Sequence, residues 1–434
     1  MRSPPQWLLA WALGSVALGG ASLLIPLYVI ELGGSAFILG ILAATAALVG
    51  APGAFIFGRI ADRTGSFVLF IESALVTVTA CLAVLPFIEN LTAVVALNAV
   101  VWFCFAAIGP SLTLLSVEGA AEEDWQNRIA QLNTFQGWGW TAGLVVGAVW
   151  SSVAVAYMDT IAAQRYFFWG CAVAGALGAI GIGLAVPERS AIRQATPRTL
   201  RLAIRNAPRF NIRGATFPFT PGRVTDWTSK SLNPQLFIER FSPRLSVYYV
   251  AVLLFFGGFA VFFAPLPIFL DDTGFSSGAI FVLYLVSSLG AAIFFGRAGA
   301  LAGSYNLGSL QALGLAIRGT ALPAVALAGA VLGATVIGLG VVTLVFLLIG
   351  VAWALIAVTA ATLVSRLAAE EIRGEALGVY AAASALAGAI GSFGGGWLAS
   401  LSYTLAFGIA GALVVLGAGL VLTLRATVAQ AKDA

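Results

Sequence analysis

The sequence has no histidine, and charged residues fill only 9% of its 434 positions. Without histidine there is no imidazole for acid–base catalysis and none to hold a metal. The three cysteines, Cys81, Cys104 and Cys171, all fall inside apolar runs. They form no paired framework and read as small buried residues. A GxxxxGK[ST] phosphate loop is missing too: Lys230-Ser231 is preceded by Ser229, which argues against a nucleotide-driven pump. Neither paired carboxylates in the middle of an apolar run nor an activated nucleophile points to an enzyme. No catalytic residue, metal site or cofactor is expected.

The scarcity of charge also decides the class. About 260 apolar residues stand against 40 charged ones, and mean hydropathy is +0.99. A soluble domain carries roughly 25% charged residues, so this chain has too few to cover a water-facing surface. Twelve spans of about 20 residues need roughly 240 apolar positions. Apolar runs fall at 7–30, 36–57, 67–88, 92–117, 131–157 and 166–186. A second set falls at 247–270, 277–297, 308–332, 336–364, 375–398 and 402–424. Their length and Ala/Leu/Gly content predict helices rather than barrel strands. The run from Trp7 to Ile30 is too long for a cleaved signal and is expected to stay as the first span.

Between the two sets lies a polar, proline-bearing stretch, 187–244, with 11 basic and 3 acidic residues. The expected organisation is a six-helix bundle at 1–186, a basic linker at 187–244 and a second bundle at 245–434. Arg2, Arg59, Arg63, Arg128, Arg297, Arg366, Arg373, Arg425 and Lys432 fall on the same side as the linker if the runs alternate. Arg165 falls opposite, and Arg318 sits within a run. The positive-inside rule then predicts that both termini and the linker are cytoplasmic. The pI near 9.1 is explained by this bias, and no nucleic-acid partner is expected. Only two of the 22 basic residues are lysine, which suggests a GC-rich prokaryotic genome.

Within the linker, Arg198, Arg201, Arg205, Arg209 and Arg213 follow helical spacing. An amphipathic helix on anionic inner-leaflet lipid is one reading. A linker that only sets topology is the other, and Pro208 interrupts the pattern.

The two sets are repeats. Pro26-Leu-Tyr-Val-Ile-Glu31-Leu-Gly33, Ser35 and Gly58-Arg59 correspond to Pro267-Ile-Phe-Leu-Asp-Asp272-Thr-Gly274, Ser276 and Gly296-Arg297. Thr113-Leu-Leu-Ser116 with its Ala-Ala-Glu-Glu corresponds to Thr362-Leu-Val-Ser365 with the same tail. A duplicated six-span unit is the layout of two-bundle transporters.

The segment GRIADRTGSF, 58–67, is expected in the short turn between spans 2 and 3. Its Gly58, Asp62, Arg63 and Gly65 resemble the G-x-x-x-D-R-x-G signature loop of the major facilitator superfamily. Ser66 and Phe67 depart from the basic residues usual there. The second copy, GRAGALAG at 296–303, has Ala300 and Leu301 in place of Asp and Arg. The resemblance implies an all-α membrane protein with twelve transmembrane helices, in two six-helix bundles related by a pseudo-twofold axis. It implies a secondary transporter with alternating access, and a gating cluster joining the motif to Glu118, Glu122 and Arg128. On the same analogy Asp62 approaches Arg373 and Glu375.

The resemblance also implies a cavity lined by spans 1, 4, 7 and 10. Candidate positions are Asn98, Trp102, Asn133, Gln136, Trp138, Tyr248, Tyr284 and Trp353, with Ser15, Ser22, Gln131, Trp140 and Tyr380 as further polar or aromatic groups. Such a lining suits a small uncharged or amphipathic solute, since a strongly anionic one calls for buried Arg or Lys. Glycines in span 5 (Gly137, Gly139, Gly143, Gly147) and span 11 (Gly388, Gly391, Gly394, Gly395, Gly396) read as close helix packing. Glu72 and Arg318 are the clear charges inside runs. Both are expected near inner ends, with a structural role. Glu31, Asp271 and Asp272, at outer ends, are with Glu72 the candidates for ion coupling. The expected partners are a small-molecule substrate, with efflux as one direction of movement, and the lipid bilayer, with the protein a monomer. A non-transporting sensor on the same fold is the alternative.

Overall fold

The computed structural model describes residues 5–64, 67–117, 125–186, 242–369 and 372–424, with 51–64, 67, 125–127 and 373–375 as backbone only. Residues 187–241 of the linker, Gly65, Glu118 and Glu122 lie outside the described residues.

The described chain is all helix and turn. Helices α1 (Gln6–Glu31), α2 (Ala36–Thr64), α3 (Phe67–Val84), α4 (Leu91–Val117), α5 (Trp125–Ala154) and α6 (Thr160–Ala185) form the first set. Helices α7 (Pro243–Phe263), α8 (Ser277–Ser304), α9 (Leu307–Leu332), α10 (Val336–Leu367), α11 (Arg373–Leu401) and α12 (Tyr403–Thr423) form the second. A 3-10 turn, Leu85–Phe87, follows α3, and a short helix, Leu266–Asp272, continues α7. Ten helical segments among the described residues are long and apolar enough to cross a membrane. With α2 and α5, twelve long helices are present. The chain is therefore an all-α, multi-pass membrane protein.

Polar breaks in the sequence become helix starts. Side-chain oxygens of Asp159, Ser242, Asn306, Thr335 and Ser402 accept backbone N–H groups at the starts of α6, α7, α9, α10 and α12. Each satisfies a donor that the first helical turn leaves open. The break in α7 at Pro265 has an equally local cause. Proline supplies no N–H and crowds the preceding turn.

Two expectations about helix ends are corrected. The first seven residues of GRIADRTGSF continue α2 to Thr64, and GRAGALAG lies wholly inside α8. Hydropathy falls at these arginines, but the backbone stays helical. A Cβ on Gly296 or Gly303 would meet nothing within 4 Å, so close approach is not what these glycines provide.

The chain parts into two compact units. The first is Met1–Gly34, Val49–Arg213 and Ser276–Val282; the second is Ser35–Leu48, Gly214–Phe275 and Leu283–Ala434. In the first, α1 packs on α5 and α6, and α3 on α4 and α6. In the second, α7 packs on α11 and α12, and α9 on α10 and α12. The glycines make these crossings close. A Cβ on Gly139 would strike Ala12 O, and one on Gly143 Val16 O. In the second unit, a Cβ on Gly391 would strike Gly257 O and one on Gly395 Val261 O. Backbone therefore lies against backbone, as small-residue packing in membranes requires.

Candidate functional site

In the first unit, α4 and α5 each carry an amide one helical turn before a tryptophan. Asn98 precedes Trp102 and Gln136 precedes Trp140, at i,i+4 spacing, which places each pair on one face. Asn98, Gln136 and Trp140 are buried, and Trp102 is half-buried. Trp102 and Trp140 have ring centroids 6.4 Å apart, and Phe105 lies 5.6 Å from the first and 6.0 Å from the second. Asn133 is buried on the same helix as Gln136. Trp138 turns away from this cluster and is 70% exposed. Ser15 bonds its own helix at Trp11 O, as Ser22 does at Gly19 O.

In the second unit, α7 is tied to its neighbours by two adjacent tyrosines. Gln311 Nε2 on α9 donates to the Tyr248 hydroxyl at 2.8 Å, and both residues are fully buried. The Tyr249 hydroxyl donates to Ala376 O on α11 at 2.9 Å. Further along α7, Phe256 and Phe259 pack against Trp353 of α10 with centroids 6.2 and 6.1 Å away. Phe256 also meets Tyr380, and Phe263 meets Tyr284.

Arg318 closes this cluster. It lies two turns beyond Gln311 on α9, and i,i+7 spacing keeps both on one stripe. Its guanidinium carbon sits 4.2 Å over the Phe259 ring, 4.9 Å from Trp353 and 5.3 Å from Phe263. Arg318 is 4% exposed. The expectation of a place near the inner end is thereby corrected. Arg318 is about 17 Å along α9 from Leu307 and about 21 Å from Leu332, at 1.5 Å per residue. The partners that hold it come from α7 and α10, far away in sequence, so the run alone gave no sign of them.

The energetics of this arginine are incomplete. An arginine at a membrane midplane costs about 2.5–3.5 kcal/mol on insertion scales. Each ring contact returns about 0.5–2 kcal/mol, so the three rings offset much of the charge penalty. Rings supply no acceptor in the guanidinium plane, however. Nε and Nη1 of Arg318 have no hydrogen-bond partner, and neither does Nε1 of Trp353. Each such buried donor costs about 1–3 kcal/mol. Arg165 and Glu89 form a salt bridge, and Arg318 is not in it.

The remaining predicted sites are spread out. Glu31 ends α1 and Glu72 lies in α3, both half-buried and both engaged in contacts. Asp271 is half-buried, and Asp272 is exposed and accepts a hydrogen bond from the Tyr403 hydroxyl. Gly58, Asp62 and Arg63 are described as helical backbone only, as is Arg373, and Arg128 is half-buried on α5. Gln311, Phe259 and Phe263 escaped the sequence reading. The i,i+7 pair of polar residues in an apolar run was the available signal for Gln311.

The sequence matches the Major Facilitator Superfamily over residues 1–143 and 126–392. The chain belongs to this family, and it is a carrier working by alternating access rather than an enzyme. Solved structures agree on the fold. A protein described in a study of substrate recognition in proton-dependent oligopeptide transporters is 14% identical, with 98% of each chain covered and a TM-score of 0.71. The nucleoside transporter NupG is 12% identical over 98% of each chain, with a TM-score of 0.69. A bacterial homolog of the human lysosomal transporter Spinster is 12% identical, covering 98% of this chain and 95% of that one, with a TM-score of 0.68. No sequence match to a curated protein is found.

Proposed function

We propose that this carrier moves a small, largely apolar solute, uncharged or amphipathic, with efflux as one direction of movement. The observation that supports this reading is the aromatic character of both units around a few polar groups. The Trp102–Phe105–Trp140 cluster with Asn98 and Gln136 stands in the first. Phe256, Phe259, Phe263 and Trp353 stand in the second. Such surfaces bind apolar bodies and use sparse hydrogen bonds for orientation. Cytoplasmic termini fit the basic-residue bias. The gate in this proposal joins Asp62 and Arg63 to Glu118 and Arg128, which exchange pairs as the halves 1–186 and 245–434 rock.

The test is a ligand screen by thermal unfolding of the purified protein, since a ligand of the folded state raises apparent stability. Hits then go to flux assays in proteoliposomes. Stabilisation by amphipathic aromatic compounds, followed by saturable flux, supports the proposal. Stabilisation only by sugars or polyols would overturn the solute class, and binding without flux would favour a sensor.

A further inference from the structure

We infer that Arg318 and the indole N–H of Trp353 form the seat for the anionic group, a carboxylate or phosphate, of an amphipathic solute. This rests on the carrier reading and narrows it, because it excludes the purely uncharged class. Three observations carry it. First, the guanidinium is buried and its surroundings are rings: Phe259 at 4.2 Å, Trp353 at 4.9 Å and Phe263 at 5.3 Å. Rings hold a cation over their faces and leave the N–H bonds, which lie in the guanidinium plane, without acceptors. Second, those donors are unpartnered. Nε and Nη1 of Arg318 and Nε1 of Trp353 are buried and make no hydrogen bond. All three are donors, and no side-chain acceptor meets them. A donor-only cluster complements an anion, and the planar fork of arginine fits carboxylate or phosphate oxygens edge-on.

Third, the other buried polar side chain on this stripe of α9 is satisfied within the protein. Gln311, two turns earlier, is fully buried and is met by the Tyr248 hydroxyl at 2.8 Å. Arg318 receives no such partner. A purely structural arginine at this depth calls for a carboxylate or backbone carbonyls around it. The aromatic walls serve the other part of the ligand: they accept an apolar body while the arginine takes its charged end.

The test uses the full chain purified in detergent. Thermal unfolding is followed with phenylbutyrate, octanoate and octyl phosphate, each against its uncharged counterpart phenylbutanamide, octanamide or octanol. At least one anion is expected to bind at least ~10-fold more tightly than its counterpart. Arg318→Gln is expected to remove that preference, and Arg318→Lys to keep part of it, since the charge stays while the fork is lost. Equal binding of each anion and its counterpart in the natural chain would overturn the inference without any variant. So would a preference that survives Arg318→Gln, or no stabilisation by any of the three anions. Inorganic phosphate or chloride giving the full effect alone would overturn the amphipathic class. Competition by phosphatidylglycerol at equal strength would move the anion from solute to lipid and overturn the solute assignment. Proteoliposome flux separates the two readings: an Arg318-dependent preference without flux overturns the carrier role and leaves the seat standing.

Discussion

The two units repeat their helix crossings and differ in what those crossings hold. In the first, Gly139 and Gly143 let α5 lie on the backbone of α1; in the second, Gly391 and Gly395 let α11 lie on α7. Around these crossings the first unit carries neutral amides beside tryptophans, Asn98 with Trp102 and Gln136 with Trp140. The second carries a buried guanidinium among Phe259, Phe263 and Trp353. Duplication thus preserved backbone geometry, which tolerates almost no side-chain volume at the contact. The chemistry on the faces beside it was free to diverge. Discrimination between solutes is on this view concentrated in the second unit, and packing is shared by both.

The largest expected effect tests the shared part. Gly143→Ala and Gly395→Ala each put a Cβ into a facing backbone, against Val16 and Gly20 in one case and Val261 in the other. Overpacking against backbone, which cannot rotate away, is expected to cost about 1–3 kcal/mol or more at each site. Thermal unfolding and chromatographic dispersity of the purified variants read this out. Similar losses sharpen the comparison, and tolerance at either position breaks the claim of a common crossing.

The second concerns the unequal motif copies. Asp62→Asn in the first copy is expected to lower flux roughly ten-fold, about 1.4 kcal/mol in the access equilibrium, while the protein remains folded and inserted. Ala300→Asn, at the corresponding and exposed position of the second copy, is expected to leave flux unchanged. Equal responses would remove the distinction between the copies. A double-mutant cycle of Asp62 with Arg128 should show non-additivity if they share one gate.

The third asks whether transport is coupled to protons or independent of an ion gradient, and which unit would carry the coupling. The sequence places no carboxylate near the middle of a cavity-lining run, which leaves Glu31 and Glu72 in one unit and Asp271 and Asp272 in the other. Flux that is the same with and without an imposed pH gradient marks a gradient-independent carrier; if the gradient drives accumulation, it is expected to fall to the gradient-independent level in the Glu31→Gln, Glu72→Gln, Asp271→Asn, Asp272→Asn variant. Variants restricted to one unit then locate the coupling. Strong pH-driven accumulation in the fourfold variant would defeat this set of candidates.

Much of the fold was legible because hydropathy and helix length report on the same quantity, the thickness of the membrane. The runs 7–30, 92–117 and 308–332 match α1, α4 and α9 to within a residue at each end. Where polar residues begin a helix, the runs stop short. Helix α5 starts at Trp125 through Gln126, Asn127 and Arg128, and α6 starts at Thr160 behind the Asp159 cap, six residues before each run. The site was less legible. Trp138 and Trp140 look alike in sequence, but one is 70% exposed and the other 4%, because two residues along a helix turn it by about 200°. Arg318 was visible as a charge in a run, while its depth and its ring of Phe259, Phe263 and Trp353 depend on which helices neighbour α9. That arrangement is a property of packing rather than of any one run.

The fourth prediction compares a buried tyrosine in each unit. Tyr248→Phe leaves the fully buried Gln311 amide without the hydroxyl at 2.8 Å, an expected loss of about 1–2 kcal/mol. Tyr28→Phe removes a longer bond, 3.1 Å, to the carbonyl of Ile88 at a partly buried site. Water can replace that partner, and the expected loss is below about 1 kcal/mol. The reverse order in thermal unfolding would contradict the view that the second unit depends more on internal polar pairing.

The smallest expected effect lies at helix ends on the surface. In the first unit Arg165 Nη2 lies 2.8 Å from Glu89 Oε1, and the two side chains are 35% and 74% exposed. In the second unit the Tyr403 hydroxyl donates to Asp272, also at an exposed end. The Arg165 pair has full charges on both partners, but water already solvates the carboxylate well, and ordering two long side chains costs entropy. A double-mutant cycle of Arg165→Gln with Glu89→Gln is therefore expected to give a coupling of about 0–1 kcal/mol, declining as salt is raised. Tyr403 has a shorter, ring-stiffened side chain whose ring lies 5.2 Å from Phe269 and 6.3 Å from Phe407, so little rotamer freedom is left to lose. Tyr403→Phe with Asp272→Asn is expected to couple at least as strongly and with less dependence on salt, because only one partner carries a full charge. A larger and salt-resistant coupling at Arg165–Glu89 would instead make that pair a structural clamp of the first unit, and the comparison would have to count a charged element on both sides.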